Sequence, residues 1–494
     1  MTLRLLRGCL LVLTLGWLAL DVLAQAGRKP NIILILTDDQ GYGDVGRHGN
    51  PILKTPNLDR LHDEAVRFTD FHVSPTCAPT RSALLSGRHD FKNGVTHTIL
   101  ERERMSLRTT TIAQVLKSAG YTTGIFGKWH LGDEPAYRPN RRGFDEMFIH
   151  GCGGIGQTYP GSCGDAPGNS NFNPVILHND KFEATSGYCT DVFFDQAMTW
   201  MKAVKGRNAR RPFFAYITTN APHAPLDVPE AYEKLYAGKV SKLAAKFFGM
   251  LHNIDENVGK LLAMLKEQDI ERDTLVIFMN DNGGTVGVDI WNAGMRGSKN
   301  TPYLGGTRAI SFWRWPGSLT PGATDALAAH VDVFPTLAAL AGAKLNASVK
   351  AQVEGRSLLP VLKNASAPWP DRVFVRHIGR WPKGADPNRY KYTQVSVRTK
   401  RWHLVNDSKE NNKRWALYDL SVDPGEKTDV IAQHPDVVKQ LEAEYDRWWA
   451  EVQPLLVNET APQPVLNPYH EQYWKQYQGP GPNKVPPGTK PISK

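Results

Sequence analysis

"NIILILTDDQG", residues 31–41, decides the fold class. Ile32 to Leu36 form an unbroken apolar run, and two acids follow at Asp38 and Asp39. A half-buried strand would alternate apolar and polar residues. An uninterrupted short run is what a strand covered on both faces requires. Three segments repeat the pattern: "YTTGIFGKWH" (121–130), "RPFFAYITTNAPHAP" (211–225) and "DTLVIFMNDNGG" (273–284). Helix-period stretches lie between or beside them, at 55–68, 110–120 and 244–268. Buried strands alternating with helices predict an α/β fold with a mixed, mainly parallel sheet flanked by helices. Ligands in such folds bind beyond the carboxyl ends of the strands. The polar residues that end these four runs are therefore expected to meet in one site.

The texture changes after about residue 360. "RVFVRHIG", "KYTQVSVRTKRWHLVND" and "RWALYDLSVDPGEKTDV" read as short antiparallel strands, and "HPDVVKQLEAEYDRWWAEV" reads as an amphipathic helix. The expected organisation is a signal peptide at 1–26, a main catalytic domain at 27–360, a smaller α+β domain at 361–460, and a Pro/Gly-rich tail at 461–494. The first segment carries Arg4 and Arg7, then an apolar run from Cys9 to Leu20, then small residues including Ala24 and Ala26. That is the layout of a secretory signal peptide. It falls short of the roughly 20 apolar residues of a membrane span. A secreted or periplasmic protein with no stable membrane insertion is expected.

The 494 residues carry a formal charge of +10, and 41% of them are hydrophobic, enough for a large core. A basic secreted protein favours anionic partners. No run of five basic residues and no nucleic-acid motif is present, so nucleic acid is not expected as a partner. Of the five cysteines, Cys9 lies in the signal segment. A disulfide among Cys152, Cys163 and Cys189 suits an oxidising compartment, and the pairing stays open.

Asp38 and Asp39 after one buried strand, and Asp281 and Asn282 after another, form a hard, all-oxygen set. Buried acids are costly unless a cation compensates them. The set suits Ca²⁺ or Mg²⁺ rather than Zn²⁺, and Gly283 and Gly284 would let the backbone approach a ligand closely. Cys77, in "SPTCAPTRSALLSGR" (74–88), falls at the start of a helix-like run. A helix N-terminus stabilises an anion and lowers a thiol's pKa. Arg81, one turn on, can face the same anion. The three residues between Cys77 and Arg81 are too few for the phosphate loop of a cysteine phosphatase.

"CAPTR" (77–81) resembles the Cys-x-Pro-x-Arg signature of the sulfatases, in which the cysteine becomes Cα-formylglycine. "LTDDQGYGD", "KTPNLDRL", "GKWHLG", "APHAP", "NDNGG", "RGSKNTPYLGGTR" and "LYDLSVDPGEKTDV" resemble sulfatase segments in the same order, across about residues 30–440. The chain is similar to arylsulfatase-type enzymes, of the bacterial kind that desulfate carbohydrates. The resemblance implies an alkaline-phosphatase-like fold, one calcium ion per chain and maturation by a formylglycine-generating enzyme. It implies Asp38, Asp39, Asp281 and Asn282 as calcium ligands and Cys77 as the formylglycine precursor, steadied by Arg81. Lys128 and His130 match the pair beside the aldehyde hydrate, and His223 and Lys299 the pair that binds sulfate near the leaving oxygen. Leu304 departs from the pattern, since many relatives carry an acid there.

The implied chemistry is attack on sulfur by one hydroxyl of an aldehyde hydrate. Collapse of the other then frees sulfate, with His130 as base and His223 or Lys299 as acid for the leaving oxygen. A sulfated carbohydrate or aryl sulfate is the expected substrate. His150, Gln157 and Tyr159 on a glycine-rich loop, and Arg376, His377, Arg380 and Arg398 in the second domain, are candidates to rim its pocket. Two rival readings remain. One is a phosphodiesterase or phosphonate monoester hydrolase of the same superfamily. The other is a non-catalytic glycan-binding relative, expected to have lost Cys77 or the acids.

Overall fold

The computed structural model describes residues 29–159, 162–456 and 467–479. The expected signal peptide and most of the expected tail lie outside the described residues. In chain order the strands are β1 (Asn31–Thr37), β2 (Val66–Phe68), β3 (Phe71–His72), β4 (Thr122–Lys128), β5 (Glu146–His150), β6 (Val175–His178), β7 (Lys181–Ala184) and β8 (Phe213–Thr218). They continue with β9 (Thr274–Asn280), β10 (Ser311–Arg314), β11 (Gly322–Thr324), β12 (Ala328–Ala329), β13 (Phe374–His377), β14 (Val395–Arg398), β15 (Trp402–Asn406) and β16 (Ala416–Asp419). Ten of them form one sheet in the order β11-β2-β10-β9-β1-β8-β4-β5-β6-β7. The central block β9-β1-β8-β4-β5 is parallel. On one side β10 lies antiparallel to β9 and β2, with β11 parallel to β2 at the edge, and on the other β6 and β7 are antiparallel. The fold is the α/β architecture that the sequence predicts.

β1 explains why its run is continuous. Ile32, Leu34 and Leu36 enter one apolar core, while Ile33 and Ile35 enter the core on the opposite face. Each such side chain contributes about 1.5–3 kcal/mol by burial, so a polar residue on either face would weaken the sheet. The long helix Lys242–Glu267 and the helix Cys189–Arg207 cover the second face.

Strands β13–β16 form a separate antiparallel sheet. The helix Pro435–Val452 packs on it through Leu441, Tyr445 and Trp449. The sheet is fastened by buried arginines to the residues on either side of β3, which pairs with β12 in a small sheet of its own. Arg398 Nη2 donates to Asp70 at 2.6 Å, and Arg376 Nε donates to the Val73 carbonyl at 3.0 Å.

The expectation of a tail from 461 onward is corrected within 467–479. Pro468–Tyr477 is a helix whose N-cap, Asn467, accepts from the Tyr469 and His470 amides. Tyr469 is buried, and Gln476 exchanges two hydrogen bonds with the Phe182 backbone on β7, at 2.8 and 2.7 Å. The helix thus covers the edge strand of the sheet, where unpaired backbone would otherwise be open.

Gly127, in β4 one residue before Lys128, pairs with Thr218 of β8 and has a φ of +113°. A Cβ there would lie 2.0 Å from the Thr218 carbonyl oxygen. Overpacking and an unfavourable φ then add, so Gly127→Ala is expected to lower stability by about 2–4 kcal/mol. Chemical denaturation checks this, and an unchanged midpoint would mean that the strands part to admit a methyl group.

Candidate active site

The parallel register brings the strand ends level. Thr37 stands beside Asn280, Leu36 beside Thr218, and Gly127 beside Thr218. The residues that follow therefore emerge at one edge. The Asp281 amide donates to Thr37 O at 3.0 Å and the Asp38 amide to Ala221 O at 3.2 Å, which fixes the acids next to each other.

The helix Cys77–Ser86 starts at this edge and is buried throughout. Pro79 falls in its first turn, where a missing N–H costs nothing. Thr76 at the N-cap makes no side-chain cap, so the helix start is left to face the site. Arg81, one turn in, donates through Nε and Nη2 to Asp281 Oδ2 at 3.0 and 2.7 Å. Its Nη1 reaches the Lys128 carbonyl at 3.3 Å and the Thr218 hydroxyl. Thr218 is a partner that no motif pointed to. Its only sequence signal is its place at the end of β8.

The ten residues of the expected catalytic and metal sets arrive in this place. Lys128 Nζ lies 2.5 Å from Asp38 Oδ2, and Lys299 Nζ lies 2.5 Å from Asp39 Oδ1. Asn282 Nδ2 donates to Asp39 Oδ1 at 2.9 Å, and His223 Nε2 is 3.8 Å from Asp39 Oδ2. Single oxygens of Asp38 and Asp281 and the Cys77 sulfur all lie within 4.8 Å of one another, and so do ligand atoms of Asp38, Asp39 and His223. His130 Nε2 is 2.7 Å from the Thr98 carbonyl. A carbonyl only accepts, so Nε2 carries the proton. The buried Nδ1, which has no partner among the described residues, is then the free lone pair.

The donors fit a hard cation. Asp38 Oδ1 and Asn282 Oδ1 are buried without a hydrogen-bond partner among the described residues. An unsatisfied buried polar atom costs about 1–3 kcal/mol. Burial, opposed by Lys128, pushes Asp38 up to about 6; burial, reinforced by Asp38, does the same to Asp281. A divalent cation at these oxygens would relieve both conditions. Burial raises the Cys77 thiol, but Lys128 and Lys299 outweigh it and the net direction is downward. Lys299 shows the opposite balance, with Asp39 outweighing burial and holding the ammonium charged.

Three expectations are corrected. Gly283 and Gly284 do not make room for a ligand. A Cβ on Gly283 would lie 1.9 Å from the Gly305 carbonyl, and one on Gly284 2.9 Å from Gly41 Cα, so they admit the chain's own backbone. His150 is wholly buried, with Nδ1 2.9 Å from the Gly151 carbonyl, and does not rim the pocket. Arg376, His377 and Arg398 are also buried, the two arginines against Val73 and Asp70 beside β3. Gln157 does reach the site edge, donating to the Ala224 carbonyl next to His223 at 3.2 Å. Its loop is closed by a disulfide between Cys152 and Cys163, and Cys189 is buried and unpaired.

The sulfatase family model matches residues 30–343, which include all of these site residues. The chain belongs to the sulfatase family. The model of the C-terminal region of N-sulphoglucosamine sulphohydrolase matches residues 303–450. Arylsulfatase A of Homo sapiens is 31% identical over 464 residues, covering 86% of this chain and 88% of that protein. N-acetylgalactosamine-6-sulfatase of Canis lupus familiaris is 31% identical over 379 residues, covering 70% of each. The solved structure of Ps i-CgsB in complex with k-i-k-neocarrahexaose superposes with a TM-score of 0.75 at 29% identity, covering 88% of this chain and 96% of that one. This sulfatase is accordingly a hydrolase of sulfate esters. Leu304, where many sulfatases carry an acid, donates its amide to Glu426 Oε2 at 2.8 Å. The segment after Lys299 is thereby anchored by a carboxylate from beyond β16.

Proposed function

We propose that this sulfatase is secreted or periplasmic, removes sulfate from a sulfated carbohydrate, and works through a Cα-formylglycine made from Cys77 and one calcium ion. The observation that carries the reading is the packing of Cys77 against Asp38 and Asp281 within 4.8 Å, beside two unpartnered oxygens. A formylglycine-generating enzyme would act on Cys77 during maturation, before the helix that bears it is buried. The signal-like N-terminus, a disulfide and the absence of a membrane-spanning helix among the described residues support export. The named activities of the relatives and the glycan in the Ps i-CgsB complex support a carbohydrate substrate.

Asp38, Asp39, Asp281 and Asn282 would hold the calcium. When present, the ion supplies positive charge next to the sulfate, and the aldehyde hydrate supplies two hydroxyls on one carbon. The chain's own residues do the rest. Arg81 is locked on Asp281 and fixes the turn that carries residue 77. Lys128 and Lys299 bring two ammonium groups that neutralise sulfate charge as it spreads in the transition state. His130 offers the Nδ1 lone pair to take a proton, because Nε2 is tied to Thr98. His223 donates Nδ1–H to the Ala224 carbonyl at 2.7 Å, which aims Nε2 at Asp39 and the site. A protonated His223 can then hand its Nε2 proton to a leaving alkoxide.

Sulfate monoesters are expected to exceed matched phosphate mono- and diesters by orders of magnitude in kcat/KM. A preference for phosphodiesters would sink the proposal. His223→Ala is expected to cut hydrolysis of sugar sulfates about 10²–10⁴-fold, and that of activated aryl sulfates much less. Equal losses on both would make His223 a binding group and not the acid.

A further inference from the structure

Arg380 follows β13 and turns toward the active site. Its Nη1 lies 3.1 Å from His97 Nε2 and donates to Thr98 Oγ1 at 3.2 Å, while Nη2 donates to Asn300 Oδ1 at 3.0 Å. Two of these partners adjoin catalytic candidates. The Thr98 carbonyl holds His130, and Asn300 follows Lys299. The Asn300 amide also donates to Pro75 O at 3.1 Å, two residues before Cys77. The guanidinium therefore bridges the segment that holds His130 and the residue next to Lys299, which is itself tied to the approach to Cys77.

All three partners are neutral, and among the described residues Arg380 makes no ion pair. Its Nε has no partner among them either. Arg372, Arg398 and Arg401 are neutralised by Asp332, Asp70 and Asp419, and Arg376 is buried on the Val73 and Val375 carbonyls. Arg380 is exposed, yet three neutral contacts hold a side chain that otherwise keeps about 2 kcal/mol of rotamer entropy. A fixed, unneutralised guanidinium with a spare donor is prepared for an anion. Cys77 and Tyr159 are among its electrostatic neighbours, which again puts it at the site mouth.

We propose that Arg380 is a specificity-determining residue that receives a second anionic group of the glycan, a carboxylate or a sulfate, beside the ester to be cleaved. The proposal rests on the carbohydrate reading above and narrows it to glycans with further negative charge near the scissile sulfate. A neutral sugar would leave the guanidinium without a partner.

Binding by calorimetry tests this on the full, matured protein without requiring turnover. The probes are a short oligogalacturonate, a chemically sulfated malto-oligosaccharide and the unmodified malto-oligosaccharide. At least one anionic probe is expected to bind tenfold or more weaker to Arg380→Ala and Arg380→Gln, the loss expected for a charge-assisted contact. The neutral probe should be insensitive, and Arg401→Ala, on an exposed surface pair, should behave as wild type. A response to oligogalacturonate alone assigns a carboxylate, and a response to the sulfated probe alone assigns a sulfate. Unchanged affinity for both anions in Arg380→Ala overturns the proposal. So does an equal loss for the neutral probe, which would make Arg380 a support for Thr98 and Asn300. A protein that binds these anions through Arg380 but cleaves no sulfate ester would sink the proposed function and leave the anion site standing.

Discussion

Cys77→Ala is expected to fold and to lose on the order of 10⁴-fold or more in turnover of sulfate esters, the scale seen when a covalent nucleophile is removed. The physical argument has two parts. Cys77 is buried, but its electrostatic surroundings are Lys128, Lys299, Asp281 and His223. It is absent from the apolar clusters that hold the sheet together. Deleting its sulfur therefore removes little hydrophobic stabilisation, and the thermal midpoint should move by only a few degrees. Activity should vanish because no other hydroxyl or thiol stands at the start of the helix: Thr76 is extended backbone before it, and Thr80 is turned back to the Ser74 backbone. Peptide mass spectrometry of the active wild type should find aldehyde or hydrate at position 77. A fully active preparation carrying only the thiol would overturn the formylglycine reading.

How much of this was legible in the sequence depended on whether a residue's role is local. β1, β4, β8 and β9 could be read because strands buried on both faces need unbroken apolar runs. Their terminal acids and amides could be read because the parallel register makes strand ends coincide. The arginines of the second sheet could not. Phe374 to His377 are all buried, since β13 is covered on both sides, so alternation gave no guide to which basic residue faces solvent. Arg376 and Arg398 are spent on carbonyls and on Asp70 beside β3, whereas Arg380, just past the strand, reaches Thr98 and Asn300. Composition alone treats them as equivalent. The C-terminal helix was missed for a related reason. The Pro, Gly and Lys residues after 478 dominate the composition of this end of the chain, while Tyr469 and Gln476, which dock the helix, need the distant edge of β7 to show their purpose. The disulfide likewise depends on how the loop closes. The anchoring of Leu304 by Glu426 also shows only in three dimensions.

On the proposed calcium reading, removal of the metal should separate the two tasks assigned to Asp281. Chelation of the matured enzyme is expected to lower kcat/KM on the order of 10³-fold, the scale of several kcal/mol of charge stabilisation. Calcium should restore it best, because a set of carboxylate and amide oxygens from two strand ends suits a flexible oxygen shell. At 100 times its dissociation constant, calcium should also add about 2.7 kcal/mol of stability. Asn282→Ala removes an amide oxygen that has no partner among the described residues. Its effect should fall mainly on calcium affinity and activity, with the fold intact. Asp281→Ala should be worse on both counts. It also strands the buried Arg81 guanidinium, which donates two hydrogen bonds to Asp281 Oδ2. Breaking a buried ion pair costs about 3–5 kcal/mol, and calcium cannot return it. The expected result is therefore a calcium-rescuable Asn282→Ala at high ion concentration and an unrescuable, destabilised Asp281→Ala. Elemental analysis of active enzyme decides the assignment. A metal-free protein with full activity, or one holding two zinc ions per chain, would remove Asp38, Asp39, Asp281 and Asn282 from the role of calcium ligands. The zinc outcome would also move the chemistry toward phosphoryl transfer.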